Sequence, residues 1–247
     1  MNAAYRADYQ EYRKEYDGVF DAAHRTEPLS GAQWKQLNPR YWVRTRHYEG
    51  KVGEYAVSCS EHELFGTEEG GFWGPEQNFD RPEHGEPEPV FSWRNINDDG
   101  EFVSLIQHQN GKEYLIYRQD LYGYSVCDLK SLEAFQYLPS ESFPGNGEAF
   151  QETFIWTEVN YSRESNMLAV SGCYWACPYS VVVLDFTEPL KEQKWINICE
   201  LFNEFFENYD EAEFVEWAPD GGMAVKLIRC DGGVAECIKL DKNLIKK

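Results

Sequence analysis

The sequence predicts an all-β fold with minor α content, assembled from copies of one supersecondary unit. The chain of 247 residues is 42% hydrophobic and 16% aromatic, and Trp, Tyr and Phe suit the pleated, half-buried surface of a strand. An aromatic opening recurs three times, at Phe91 and Trp93, at Phe154 and Trp156, and at Phe214 and Trp217. The spacing is nearly constant, with 63 and then 61 positions between successive tryptophans. A fixed period marks repeated units that stack and bury a shared core.

Each opening leads into a turn and a short apolar strand. The turns fall at Asp98 to Gly100, Glu164 to Asn166 and Asp220 to Gly222, and the strands at Phe102 to Ile106, Met167 to Val170 and Met223 to Val225. Each unit then closes on an apolar strand ending in aspartate: Asp128, Asp185 and Asp241, spaced 57 and 56 apart. Periodic residues of this kind are expected to be structural. The aspartates should bond into the turn that follows them, and the tryptophans should pack between units.

Outside the repeats the chain is less regular. Residues 1–24 predict a helix, because Tyr5, Tyr9, Tyr12, Tyr16 and Phe20 share one face. The commoner role for such a stripe is docking on its own domain; the functional one is an offer to another protein. Residues 41–48 and 54–58 predict a hairpin about Glu49 to Lys51, a degenerate first copy. Residues 61–89 hold nine acidic residues against Arg81 alone, interrupted by Gly66, Gly70, Gly71, Gly74 and Gly85. That composition predicts a long loop, pinned by Phe72 and Trp73. A second loop is expected at 139–151. Residues 198–209 predict a helix, since Ile198, Leu201, Phe202, Phe205, Phe206 and Tyr209 keep helical spacing. The expected organisation is a single domain over 1–247: the helix at 1–24, a degenerate repeat with its acidic loop at 41–90, and repeats at 91–153, 154–213 and 214–247.

A unit of three or four short strands with one long loop has the content of a propeller blade. The stretch Trp217 to Gly222, followed by an apolar strand, resembles WD-repeat-like β-propellers, as does the strand ending in Asp that closes each unit. The likeness covers 91–241, and 41–241 if the degenerate copy counts. There is no Gly-His or Trp-Asp pair at the expected places, and the units exceed the roughly 40–45 residues of a WD blade. The stretch Phe154 to Phe186, with Gly172 to Pro178 inside it, also resembles an uncharacterised bacterial protein family, which implies a fold and no activity. The resemblance implies a four-bladed ring or an incomplete propeller. In a closed ring the strand at 41–46 would complete the sheet holding 234–241.

Composition narrows the partners. The net charge is −20, so nucleic acid and anionic membranes are not expected to bind, whereas a basic partner would be steered in. Seven cysteines, an odd number, show no small-domain disulfide spacing. No apolar run reaches the roughly 18–20 residues that cross a bilayer, and the N-terminus shows no apolar signal segment. A reducing, cytoplasmic setting is the expectation. Cys127, Cys199, Cys230 and Cys237 lie in or beside apolar runs and are expected to behave as small hydrophobes.

Cys173 and Cys177 flank Tyr174 and Trp175 in the most unusual local sequence of the chain. Two thiols four apart suggest a metal or redox pair, but a structural zinc takes about four ligands and usually tighter pairs. The bland alternative is a turn between two strands whose aromatic rings line one end of the repeats. Asp98 and Asp99, Glu68 and Glu69, and Asp210, Glu211 and Glu213 offer paired carboxylates for acid–base chemistry, yet 43 acidic residues produce such pairs by chance. The five histidines are scattered. No phosphate loop, dinucleotide fingerprint or nucleophile elbow is present, and no cofactor is expected. The leading expectation is a non-enzymatic module that binds a protein or small ligand through Phe72, Trp73, Tyr174 and Trp175. The alternatives are a neutralising, immunity-type protein for a basic partner, and a hydrolase acting on a sugar or small ester.

Overall fold

The computed structural model describes residues 18, 20–22, 28–29, 31–52, 54–66, 89–96, 102–118, 124–137, 154–174, 177–191, 193 and 195–245. Strands dominate, and they form four antiparallel sheets. Every sheet is a meander, each strand pairing with its neighbours in sequence. Two compact units are present: one holds the first sheet, the other the remaining three.

The first sheet comprises β1 (Gln33–Asn38), β2 (Tyr41–Val52), β3 (Tyr55–Gly66) and β4 (Phe91–Ile96). The second comprises β5 (Val103–Gln107), β6 (Glu113–Tyr117), β7 (Tyr124–Asp128) and β8 (Ala134–Tyr137). The third comprises β9 (Ile155–Ser162), β10 (Met167–Cys173), β11 (Ser180–Asp185) and β12 (Trp195–Asn197). The fourth has three strands: β13 (Tyr209–Trp217), β14 (Met223–Arg229) and β15 (Glu236–Leu240). Short helices are α1 (Phe205–Asn208) and α2 (Lys242–Ile245), with a 3-10 turn at Ile198–Leu201.

The third sheet is covered on both faces, as its sequence requires. Along β10 and β11, Leu168, Val170, Val182 and Leu184 point one way and join Ile116, Tyr124 and Val126 of the second sheet. Met167, Ala169, Val181 and Val183 point the other way and join Ala212, Met223, Val225 and Leu227 of the fourth. A strand apolar at every position is what burial on both faces selects. Trp156 is fully buried in the first of these cores, stacked on Tyr124 at 4.1 Å and edge-on to Phe102 at 6.2 Å. Trp217 lies at the other end of its strand, closing β13 opposite Met223 where Trp156 sits near the start of β9 opposite Gly172, and its indole N–H donates to the Asn160 carbonyl at 3.0 Å. Both tryptophans therefore pack between sheets. Trp93 differs: it stacks at 4.9 Å on His62, its cross-strand neighbour within the first sheet.

The closing aspartates act alike. Asp128 accepts from the N–H groups of Lys130 and Ser131, Asp185 from that of Thr187, and Asp241 from that of Asn243. Each carboxylate satisfies the donor two residues on and fixes the exit from its strand. His108 ties the second and third sheets in the same region. Its ring Nε2 lies 2.9 Å from the Phe186 carbonyl and its Nδ1 lies 3.2 Å from Asn110 N–H, and the two bonds fix the ring's orientation.

The fourth sheet ends the stack. Its third strand is mostly exposed, whereas the corresponding β7 is buried at all five positions. Its outer face carries Glu213 paired with Lys226 at 2.7 Å and Asp220 paired with Lys239 at 2.9 Å. Charged pairs of this kind suit a sheet surface left in water.

Several expectations are corrected. The hairpin turns at 53–54, so Glu49, Gly50 and Lys51 lie within β2, opposite Ser58, Val57 and Ala56. β3 runs on to Gly66, so 61–66 is strand rather than loop; the cross-strand partners of those residues outweigh the acidic composition. Phe91–Ile96 pairs with Cys59–Leu64, whereas the openings at 155 and 209 pair with the strands that follow them. The strand at 41–46 lies between β1 and β3 and adds nothing to the sheet of 236–240. The helix at 198–209 is broken, because Glu204 takes a left-handed conformation (φ 54°) and Tyr209 already belongs to β13. Cys230 and Cys237 are exposed, while Cys59, Cys127 and Cys199 are buried. Of the helix at 1–24, only residues 18 and 20–22 are described. They are helical and seat Phe20 in the core, edge-on to Tyr48 at 5.8 Å and beneath the Arg94 guanidinium at 4.2 Å. The loop at 139–151, Phe72, Trp73 and Trp175 lie outside the described residues.

Candidate functional site

Strand register sorts the connections of the three-sheet unit into two ends. One end holds the turns of four or five residues that follow β5, β7, β9 and β13, the nine-residue connection 186–194 that follows β11, and the closing aspartates. At the other end β10 leads through 174–179 into β11, β12 through 198–208 into β13, and β14 through 230–235 into β15, the eleven-residue 198–208 being the longest connection among the described residues of this unit. The Tyr179 carbonyl accepts from Ala212 N–H at 3.1 Å, joining the 174–179 connection to β13 of the fourth sheet. Function concentrates where a rigid scaffold presents its longer loops.

The 174–179 connection is built on close backbone contact. At Gly172 the register between β9 and β10 slips by one residue, and a Cβ there would stand 2.0 Å from the Ile155 carbonyl oxygen. Only glycine permits that approach. The turn then closes with Cys177 N–H donating to the Tyr174 carbonyl at 2.9 Å.

Tyr174 packs edge-on against Phe154 at 5.3 Å. Burial raises its phenol above the ordinary value, against a hydrogen bond from Asn197 that lowers it. Asn197 is the hub of this site. Its Oδ1 accepts from Ser180 Oγ at 2.9 Å and from Cys199 N–H at 3.0 Å. Cys199 Sγ stands 3.0 Å from Ser180 Oγ. Burial pushes its thiol up, which removes nucleophilic character. The network therefore fixes the loop from below, and chemistry at Cys199 is not supported. Cys173 is half-buried and Cys177 exposed, and no cysteine is in a disulfide. Among the described residues, no group of three His, Cys, Asp or Glu side chains is arranged to hold a metal ion. Of the site residues expected from sequence, the structure places Cys173, Tyr174 and Cys177 in one turn.

Two exposed rings at this end went unnoticed in sequence as surface groups. Tyr179 is 47% exposed and Phe206 is 69% exposed. Phe206 was assigned to an apolar helical face; the break at Glu204 turns it outward.

The first sheet buries polar pairs among its apolar side chains, and sequence reasoning missed them entirely. Thr45 Oγ1 and His62 Nδ1 lie 2.9 Å apart, and His47 Nδ1 and Ser60 Oγ 2.8 Å apart, each pair directly opposite across β2 and β3. Thr45, Ser60 and His62 are buried. His62 Nε2 has no hydrogen-bond partner among the described residues. Burial, followed by the nearby His47, depresses His62 to about 3, so it is neutral. On the opposite face, Glu63 accepts from Arg44 and Arg46, both at 2.7 Å. Arg44 also lies over the rings of Trp34 and Phe65. Ser60 is too buried to meet a substrate, so both rows serve as cross-strand locks. The signal that could have found them is the alternation of Arg, Thr, Arg and His at 44–47 against Ser, Glu, His and Glu at 60–63.

No helix among the described residues is long and apolar enough to cross a membrane. No protein-family model matches the chain, and no curated protein matches it.

Proposed function

We propose that the protein is a non-enzymatic binding module of propeller type, taking a protein or ligand at the end of its three-sheet unit that carries the 174–179 and 198–208 connections. The observation that carries this reading is the construction of the third sheet, stacked between two others as one blade lies between neighbours. Face-to-face stacking makes a rigid support and leaves variable loops at the ends. At this end Asn197 pins the turn bearing Tyr174 and Cys177, and Tyr179 is displayed beside it. Exposed tyrosine on a pinned loop is suited to recognition, since its ring offers both an apolar face and a hydroxyl. The proposal places the protein in a reducing, cytoplasmic setting, which the exposed thiols of Cys177, Cys230 and Cys237 fit.

The test is affinity capture from the source cell's extract at low and high salt, followed by titration of the purified partner against wild type and Tyr179→Ala. A stoichiometric partner weakened by the substitution supports the reading. Failure to recover any partner, or one indifferent to Tyr179, removes it.

A further inference from the structure

We infer that the occupant of this end is a Lys- and Arg-rich polypeptide segment, anchored on Phe206. The inference rests on the binding-module reading and names its partner class.

Two observations combine. The first is apolar. Phe206 is the most exposed aromatic side chain among the large hydrophobics of the described residues, at 69%. Its neighbour Phe205 is buried and holds α1 in the core with Phe202 and Tyr209, at ring distances of 6.0 and 5.5 Å. The Phe206 carbonyl also accepts from the Cys230 thiol, at 3.8 Å. The backbone beneath the ring is therefore fixed while the ring itself is in water. A solvated phenyl group on a pinned element has a large apolar face to give a partner.

The second observation is charge. Residues 195–225 contain eight Asp or Glu and no Lys or Arg. Glu213 and Asp220 are satisfied by Lys226 and Lys239. Glu200, Glu204, Glu207, Asp210, Glu211 and Glu216 form no ion pair among the described residues. Glu204 and Glu207 flank Phe206 directly, and both are exposed. An aromatic face flanked by the carboxylates of Glu204 and Glu207 complements a guanidinium or ammonium group, which can lie over the ring while its N–H donors reach the acids. An acidic or purely apolar segment would leave those carboxylates desolvated and unpaired. The net charge of −20 would draw such a partner in from a distance.

The probe is fluorescein-labelled deca-arginine, followed by fluorescence anisotropy at about 50 and about 500 mM salt, a range over which the screening length changes severalfold. Wild type is expected to bind, more tightly at low salt. Phe206→Ser should weaken binding about tenfold at both salts, because it removes an anchor ring rather than a charge. E204Q/E207Q should weaken it and flatten the salt dependence. E164Q/E188Q removes the same charge at the tight-turn end and should stay within about twofold of wild type. Thermal melts of each variant should match wild type, since all these side chains are exposed. The inference fails if wild type does not bind, if F206S binds unchanged, or if E164Q/E188Q weakens binding as much as E204Q/E207Q, which would show non-specific attraction to an acidic surface. A captured partner that still binds F206S and is not displaced by deca-arginine would overturn this inference and leave the binding-module reading standing.

Discussion

The first and third sheets are both four-stranded antiparallel meanders, and they are held together by opposite means. In the third, β10 and β11 present aliphatic side chains to both faces. In the first, β2 and β3 bury Arg44, Thr45, Ser60 and His62, and match them across the strands. The same topology thus tolerates a wholly aliphatic interior or one with polar side chains matched across the strands, where most buried polar groups find a partner. The two solutions should differ in what breaks them. The apolar sheet should fail through lost volume and steric intrusion, and the polar one through a change of charge.

The largest effects should come from the third sheet. Gly172→Ala places a methyl group 2.0 Å from a backbone oxygen, and should cost more than about 3 kcal/mol by chemical denaturation. Trp156→Ala should cost about 3–5 kcal/mol, since the ring is fully buried between two sheets. If either variant melts like wild type, the stacked arrangement of these sheets is wrong.

Next comes the ionic lock of the first sheet. Glu63→Ala leaves the buried Arg44 and its neighbour Arg46 without their shared acceptor, and should cost about 2–4 kcal/mol. Glu63→Gln keeps the shape and one acceptor oxygen, and is expected to fall between wild type and Glu63→Ala.

A pH series sharpens the contrast further. His62 titrates near 3 in the folded protein against about 6.5 when unfolded. Between these values the unfolded chain binds a proton that the folded one does not, so stability rises with pH across that window. The contribution is intact above about 6.5 and is lost progressively as pH falls toward 3. His62→Gln should flatten this limb in urea denaturation measured from about pH 6.5 to about pH 4. An unchanged slope would remove His62 as its source. The smallest effect belongs to the fourth sheet's outer face, where Lys226→Ala breaks an exposed pair and should change stability by less than about 0.5 kcal/mol.

Much of the three-sheet unit was legible in the sequence. The strands at 167–170 and 223–225, the strands leading to the closing aspartates, the turns at 164–166 and 220–222 and the role of those aspartates were written in local pattern, whereas the strand at 102–106, read as the counterpart of 167–170, leads its own sheet. The first sheet was not, and one turn explains why. A hairpin folded about Gly50 would set Arg44 opposite Ala56, whereas the true turn at 53–54 sets it opposite Glu63. Register is a single quantity shared by the whole hairpin, so a turn misplaced by a few residues hid every cross-strand pair, Thr45 with His62 included. The candidate site was half visible. Cys173, Tyr174 and Cys177 stood out as a local oddity, but Asn197, the residue that pins them, comes from another strand. Phe206 was misassigned because helical spacing alone cannot show where a helix breaks; the break depends on Phe205 being buried and on Glu204 adopting φ 54°.

The sequence by itself determined the all-β class, the capping role of the closing aspartates and the net acidic charge. These follow from composition and from contacts within a few residues. Tertiary structure alone decided which strands share a sheet, which faces of the third sheet meet which neighbours, and which aromatic rings remain in water. Those outcomes depend on contacts between residues distant in the chain, where burial on one face competes with burial on the other, and local spacing carries no record of the result.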